Sequence, residues 1–318
     1  MSDSSTEAVE ENLRDWLKEE GFSLEMRIAQ IFQQAGFDVS QFETYLDPES
    51  NDLREIDVVA SINRQVGDGI VVFVAFFIEC KYHLSKPWVV FVSPKRLSPL
   101  FYFSRILREN YNVHEWQAQA SLQGRLLAKI LSSLDRKRTS SFALFSVPQS
   151  AGYGVREAFS GKDHAYEAMM QVSKCVEAHD IRVEMDFRRA VEGFEERLYA
   201  SGFGRGALFL SCSLAFPIIV GNGKLFECRL DSNNEMAVSE VNDSVVLMSR
   251  KSHSEKSVAT PSCTSVVRIV TENRVHSLAG EAFRAANFLL SQESAIRDLW
   301  EYEDRKILEK TEVEEIPF

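Results

Sequence analysis

The sequence has few of the residues that build thiol and imidazole sites. Its five cysteines are widely spaced, without a Cys-x-x-Cys pair, and its six histidines are scattered along the chain. Zinc ligands and redox-active thiols normally occur as close sequence pairs, so a zinc hydrolase has little support. A Ser/His/Asp enzyme has equally little support. The cysteines are expected to be buried thiols in a reducing compartment.

Long hydrophobic runs are also missing. The longest apolar stretches, 70–78 and 207–220, are too short or too interrupted to cross a bilayer, which takes about 20 apolar residues. The first 21 residues lack the basic and apolar segments of a secretory signal. We therefore expect a soluble, cytoplasmic protein with no membrane partner. With 45% hydrophobic and 26% charged residues, the composition is that of a globular protein.

Positive charge is scarce overall but locally concentrated. The chain has a net charge of −11, yet residues 85–160 hold eleven basic and four acidic residues, a local +7 that leaves −18 for the rest. An evenly acidic protein would repel polyanions. This uneven distribution instead predicts one positive face on an acidic body.

Hydrophobic periodicity predicts strands alternating with helices, and therefore an α/β protein built around a mixed sheet. Ser23 is expected to cap the start of one helix and Gly36 to end it. Helices are expected at 7–20, 23–36, 104–134, 163–179 and 279–291. Strands are expected at 37–46, 54–63, 69–82, 207–220, 224–230, 244–250 and 264–271.

These elements predict one main domain with three appended parts. The main domain is expected at 21–300, preceded by an acidic helix at 1–20 and followed by a charged tail at 301–318. The basic stretch at about 85–160 is expected to be a large helical insertion within this domain.

The strands at 54–63 and 69–82 are strongly apolar but carry Asp57, Glu79 and Lys81. A charge in a half-buried strand must be paired, metal-bound or neutralised, because removing water from an isolated ion costs several kcal/mol. With "VGDG" (66–69) as a hairpin loop, Asp57 lies opposite residue 78, one step from Glu79. Side chains alternate faces along a strand, so Glu79 and Lys81 share a face. The two acids are therefore predicted to be neighbours, with Lys81 beside them.

Two adjacent carboxylates resist joint ionisation unless a cation stabilises them. Neighbouring strands are about 4.8 Å apart, which lets two carboxylates converge on one ion. Hard oxygen ligands favour Mg²⁺ or Mn²⁺. Such an ion can polarise a phosphoryl oxygen and activate a bound water, and Lys81 can orient that water or stabilise developing charge.

The pattern Glu25, Ile56-Asp57 and Glu79-Cys80-Lys81 resembles the PD-(D/E)xK superfamily of restriction-endonuclease-like nucleases, although Ile56 stands where the motif has proline. The resemblance implies a restriction-endonuclease-like mixed sheet flanked by helices. It also implies Mg²⁺-dependent endonuclease cleavage of nucleic acid, with DNA as the expected substrate. The implied metal ligands are Asp57, Glu79, Glu25 and the backbone carbonyl of Cys80, and Lys81 is the implied catalytic lysine.

Further residues are predicted to lie near this site. The helix at 162–178 resembles a displaced helix of the same superfamily, from which Gln171 or Lys174 can approach the site. Basic residues around the insertion are expected to bind nucleic-acid phosphates. They are Lys86, Lys95, Arg96, Arg136, Lys137 and Arg138.

A second function stays open beside the nuclease. The acidic exterior and the charged ends of the chain are also typical of a nuclease-fold binding or scaffold module, which recognises nucleic acid or a partner protein without cleavage. An intermediate alternative is an effector subunit in defence or DNA processing that depends on a protein partner or on a homo-oligomer.

Overall fold

A computed structural model describes residues 3–66, 70–82, 86–93, 107–109, 151–161, 163–201, 210–251, 262–291 and 294. Within these ranges the protein is a mixed α/β structure, as the sequence predicts, with eleven strands in one mixed sheet and four helices. No described helix is both long enough and apolar enough to cross a membrane. The helices are α1 (Asp3–Glu19), α2 (Phe22–Ala35), α3 (His164–Ser201) and α4 (Glu272–Leu290).

The strands follow one another along most of the described chain. They are β1 (Asp38–Leu46), β2 (Leu53–Val66), β3 (Ile70–Lys81), β4 (Trp88–Val92), β5 (Leu107–Glu109), β6 (Gly152–Glu157), β7 (Leu210–Gly221), β8 (Leu225–Leu230), β9 (Met236–Val241), β10 (Asp243–Lys251) and β11 (Ser262–Thr271). Their order in the sheet is β1-β2-β3-β7-β11-β10-β6-β4-β8-β9, and β5 pairs with β7 beside this path.

The first half of the sheet combines antiparallel and parallel pairing. β1, β2 and β3 form an antiparallel meander, and β7 then lies parallel to β3. A parallel neighbour requires a crossover connection, and α3 lies within the chain between β3 and β7. β3 is therefore an internal strand with hydrogen-bonded neighbours on both sides.

Internal strands such as β3 must be apolar on both faces, and the sequence "VVFVAFFI" meets this demand. Val74, Phe76 and Ile78 point into a core that includes buried residues of α2 and α4. Ala75 and Phe77 point into a second core that includes buried residues of α3. The sheet is thus the middle of three layers.

A glycine lies at each end of α2. Gly21 and Gly36 both have left-handed backbone angles, with φ of 88° and 106°. Gly36 ends the helix as predicted, but Ser23 does not cap its start, because the helix begins one residue earlier, at Phe22. A Cβ at Gly36 would lie 2.6 Å from the ring of Phe283 in α4. Glycine is therefore required where these two helices approach.

The predicted helix at 104–134 is wrong at its start. Residues 107–109 form β5, whose backbone pairs with β7 at 212–214. The open edge of β7 offers hydrogen bonds to residues 107–109, and the helical periodicity of the local sequence gives no sign of this pairing. The rest of that helix, residues 104–106 and 110–134, and the predicted tail at 301–318 lie outside the described residues.

Three further strands were not predicted. β4 and β6 lie at the two ends of the predicted insertion, and both join the main sheet. The described ends of the insertion are therefore strands of the domain rather than helical. β9 pairs with β8 at the sheet edge and exposes most of its residues, so it lacks the alternating pattern that marks a half-buried strand.

Candidate active site

The regular pairing of β2 is interrupted at Asp57. β2 pairs with β3 from Val66 as far as Val58, and its ladder with β1 skips the pair formed by Phe42 and Asp57. Phe42 has a φ of 57°, a left-handed conformation that is unusual for a bulky residue. Ile56 packs into the core on the α3 side and Val58 into the opposite core, although alternate residues of a regular strand share a face. Asp57 therefore lies where β2 leaves β3.

The predicted hairpin register was wrong by one residue. The structure pairs Val66 with Ile70 and Val58 with Ile78, whereas a four-residue loop at 66–69 would have placed Asp57 opposite Ile78. Continuing the observed register places Asp57 level with Glu79. Beyond the last pair, the Asp57 side chain reaches the backbone N–H of Cys80, the residue after Glu79.

The carboxylate of Asp57 replaces a backbone acceptor. The backbone N–H of Cys80 donates a 2.6 Å hydrogen bond to Asp57 Oδ2. Among the described residues this N–H has no backbone partner in β2, because the β2–β3 pairing ends at Val58 and Ile78. Burial raises the pKa of Asp57, although this hydrogen bond and the ammonium of Lys81 oppose the rise.

Glu79 is the most deeply buried acid of the site, with 1% of the residue exposed. Its Oε1 lies 2.5 Å from Lys81 Nζ. Its Oε2 is buried and has no hydrogen-bond partner among the described residues. The pKa of Glu79 is raised to about 8, chiefly by burial and also by the nearby Asp57 carboxylate. One oxygen of this carboxyl group is therefore paired with Lys81, and the other is buried without a partner among the described residues.

Lys81 is held as a cation. Burial lowers its pKa, but the carboxylates of Glu79 and Asp57 raise it by more, so the net pKa lies above the ordinary value of 10.5. The side chain keeps 27% of its surface exposed. A partly exposed positive charge therefore lies beside the buried carboxylate of Glu79.

Glu25 reaches the same region from the first turn of α2. Its pKa is raised to about 7, chiefly by burial and also by the carboxylates of Asp57 and Glu55. Its Oε2 is buried without a hydrogen-bond partner among the described residues. A helix from one face of the sheet thus contributes a third acid to the electrostatic environment of Asp57.

Cys80 separates Glu79 from Lys81 and points to the other face, into the core that includes α2 and α4. Its thiol is free and buried, and burial raises its pKa. The thiol therefore points away from the face of β3 that carries Glu79 and Lys81. The role of its backbone carbonyl as a metal ligand stays a prediction.

The two residues predicted on the site helix lie in different places. Gln171 donates from Nε2 to the backbone carbonyl of Glu55 at 3.0 Å, two residues before Asp57. Lys174 instead binds the turn between β1 and β2, with its Nζ 2.9 Å from Asp47 Oδ2 and 2.7 Å from Glu49 Oε2. Gln171 is thus next to the acid-bearing strand, and Lys174 is engaged elsewhere.

Sequence reasoning missed Tyr45 and Asp47. Tyr45 Oη donates to the backbone carbonyl of Gln171 at 3.1 Å, and its pKa is raised chiefly by burial and also by the charges of Cys175 and Glu79. Asp47 is 2% exposed and accepts hydrogen bonds from the backbone N–H groups of the turn. The sequence "DPES" signals this turn, but not its contact with a helix more than a hundred residues away.

Of the residues predicted to bind nucleic acid, the structure describes Lys86. It is partly buried and its Nζ donates to Ser160 Oγ at 3.3 Å. The others, Lys95, Arg96, Arg136, Lys137 and Arg138, lie outside the described residues.

The described residues contain no cluster of three or more histidine, cysteine, aspartate or glutamate side chains arranged to hold a metal ion. The site instead offers two neighbouring carboxylates on β2 and β3 and a third acid on α2. Comparisons of this chain with protein-family models, curated proteins and solved structures found no match.

Proposed function

We propose that this protein is a metal-dependent nuclease of the PD-(D/E)xK type, which hydrolyses phosphodiester bonds of nucleic acid, with DNA as the expected substrate. The observation that carries the proposal is the convergence of Asp57, Glu79 and Lys81 at the point where β2 leaves β3. The order of elements around them also supports it, because a helix with Glu25 precedes the two strands and α3 follows them. A restriction-endonuclease-like fold is part of this proposal.

The acids of the site fit a hard divalent cation. The buried oxygens of Glu79 and Glu25 that have no partner in the described part of the chain are costly unless a ligand satisfies them. Mg²⁺ commonly binds through one or two carboxylates and fills its other positions with water or substrate phosphate, so a preformed cage of three side chains is not required. Asp57, Glu79 and the Cys80 carbonyl would hold Mg²⁺ or Mn²⁺, with Glu25 as a further ligand. The bound ion would supply a polarised phosphoryl oxygen and a water of lowered pKa.

The lysine has a separate role in this proposal. Because its pKa is raised, Lys81 remains protonated near neutral pH and does not act as a proton acceptor. Its ammonium, fixed by Glu79, can donate hydrogen bonds to the attacking water or to a phosphate oxygen on which negative charge develops. Its partial exposure places this charge where a substrate can reach it.

The experiment is cleavage of supercoiled plasmid by the purified chain with Mg²⁺ or Mn²⁺. We expect Glu79→Gln and Lys81→Gln to lower the rate at least 100-fold, because the first weakens binding of the metal ion and the second removes a positive charge that stabilises the transition state. Glu157→Gln is the matched control, since Glu157 is a strand glutamate that is 8% exposed and also has a buried oxygen without a partner among the described residues. Its rate should stay within about 2-fold of the unmodified protein.

Equal cleavage by all of these variants would show that another site or a contaminant is responsible. If the unmodified chain binds DNA but does not cut it with either ion, the nuclease proposal fails and the binding-module alternative takes its place.

A further inference from the structure

A pocket lies near Lys81, at the carboxyl ends of β7 and β11, where Gly221 is the register partner of Lys81. Its lining combines two lysines, Lys86 and Lys224, and two glycines, Gly221 and Gly223, with apolar residues that include Trp88, Leu225 and Ile269. It is a small, open cleft, and the space of about 270 Å³ among these residues includes open solvent. An anion in this cleft would meet two positive side chains and backbone that it can approach.

The sheet topology forms this pocket. Only residues 222–224 connect β7 to β8, yet four strands separate β7 from β8 in the sheet order. The sheet must therefore turn back on itself, which brings the start of β8 near the end of β7. The backbone N–H of Trp88, at the start of β4, donates to the Lys224 carbonyl at 2.9 Å. This hydrogen bond holds the start of β4 next to the start of β8.

The pocket shares a wall with the candidate active site. Gly221 is the register partner of Lys81, and the backbone N–H of Asn222 donates to the Lys81 carbonyl at 3.3 Å. Gly221 lies two residues after Ile219, which packs into the core on the α3 side, so both Gly221 and Lys81 face that side. Among the described residues, and apart from its chain neighbours, a Cβ at Gly221 would have only the Lys81 carbonyl oxygen within 4 Å, at 4.0 Å. No described side chain therefore fills the position that a side chain at Gly221 would take.

Both lysines have charge available for an anion. Lys86 donates to the hydroxyl of Ser160, a neutral group. Lys224 lies 3.4 Å from Glu240 Oε2 in an ion pair whose side chains are 69% and 54% exposed. Exposed pairs of this kind contribute little free energy and exchange partners readily.

We propose that this pocket binds a backbone phosphate of the nucleic acid next to the phosphate that reaches Lys81. The inference rests on the proposed function, which it deepens by assigning a substrate-binding subsite. Lys86 and Lys224 neutralise the phosphate, and the backbone at Gly221 and Gly223 lets it approach closely. The subsite contributes to binding and not to the chemical step.

The test uses a fluorescent 20-base-pair DNA duplex and the full chain in EDTA, where metal-dependent cleavage cannot proceed. We expect the double variant Lys86→Gln/Lys224→Gln to raise the Kd about 10-fold or more. We also expect the slope of log Kd against log salt concentration to fall by about 1 to 2, since each neutralised phosphate contact contributes about 0.9. Lys18→Gln, which removes an exposed, ion-paired lysine of α1, is the matched control and should change neither quantity. Arginine at both positions should restore binding.

The outcomes separate this subsite from the nuclease proposal. If Glu79→Gln abolishes cleavage but the double variant binds DNA with unchanged Kd and salt slope, the subsite is overturned and the nuclease stands. If the unmodified chain never cuts DNA but the double variant loses affinity as expected, cleavage is overturned and the subsite stands. Absence of DNA binding by the unmodified chain overturns the subsite.

Discussion

At the scale of single residues, the site contains acids whose ionised forms are unfavourable where they lie. Asp57, Glu79 and Glu25 all have pKa values above their ordinary ranges, and burial is the largest cause in each case. Lys81 compensates part of this negative charge and is close enough to pair directly with Glu79. A protein without function at this position would gain stability by replacing these groups with apolar ones. This cost is characteristic of functional sites.

The raised pKa of Glu79 predicts a pH dependence of stability. Its pKa in the folded protein, about 8, lies above the ordinary value of 4.5, so between these values the folded state binds more protons than the unfolded state. The free energy of unfolding of the metal-free protein should therefore fall as the pH rises from about 5 to about 8, by an amount on the order of a few kcal/mol. Thermal unfolding at several pH values in EDTA measures this slope.

The variant Glu79→Gln should flatten this dependence and raise the Tm at pH 8, because the amide has no charge to bury. Glu157→Gln provides the comparison in a glutamate outside the site. An unchanged pH slope in Glu79→Gln would show that Glu79 is not the group that titrates.

The charged triad could be predicted from the sequence because charges in apolar strands are conspicuous. Two details of the site could not be predicted from the sequence. The Cys80 N–H reaches the Asp57 side chain only because β2 leaves β3, and the left-handed backbone of Phe42 across the β1–β2 ladder has no glycine to signal it. The register error followed from the loop length, which composition alone did not determine.

At the scale of secondary-structure elements, α3 holds the β1–β2 hairpin against the sheet. Lys174 pairs with Asp47 and Glu49 in the turn, and Gln171 bonds to the Glu55 carbonyl near Asp57. Tyr45 closes the contact by donating to the Gln171 carbonyl. Through these bonds α3 positions the strand that carries Asp57. Lys174 itself pairs with the acids of the turn rather than with Asp57 or Glu79.

Removal of this anchor should destabilise the fold. Lys174→Met removes the nearer of two cations from the carboxylate of Asp47, which is 2% exposed, and leaves Arg54 Nε at 3.6 Å. We expect a loss of about 1–3 kcal/mol in the free energy of unfolding. Lys174→Arg should retain most of the stability. Denaturant unfolding of both variants measures the difference, and an unchanged midpoint for Lys174→Met would contradict the anchoring role of the pair.

Elements with strong local signals were predicted from the sequence, and elements defined by distant pairing were not. The periodic apolar face of α2 and the continuous apolar run of β3 gave their types and approximate bounds. β5 is three residues long and depends on β7, so its own sequence cannot specify it. α3 continues to Ser201, well beyond the apolar pattern at 163–179 that predicted it.

At the scale of the whole molecule, the curved sheet brings two kinds of charge together. The acids and Lys81 lie at one end of β2 and β3, and the pocket with Lys86 and Lys224 lies beside them across β7. An acidic protein with a net charge of −11 needs such a local basic surface to bind a polyanion. The uneven charge distribution was visible in the sequence. The position of Lys86 and Lys224 beside the site was not, because it depends in part on β4, a strand that the sequence pattern did not reveal.

The most direct test is the position of a divalent ion in crystals soaked with Mn²⁺, located from its anomalous scattering. The account predicts an ion bound to the carboxylates of both Asp57 and Glu79, and no ion at this position in crystals of Glu79→Gln. Crystals in which millimolar Mn²⁺ leaves these two carboxylates without an ion, or binds only elsewhere on the protein, would contradict it.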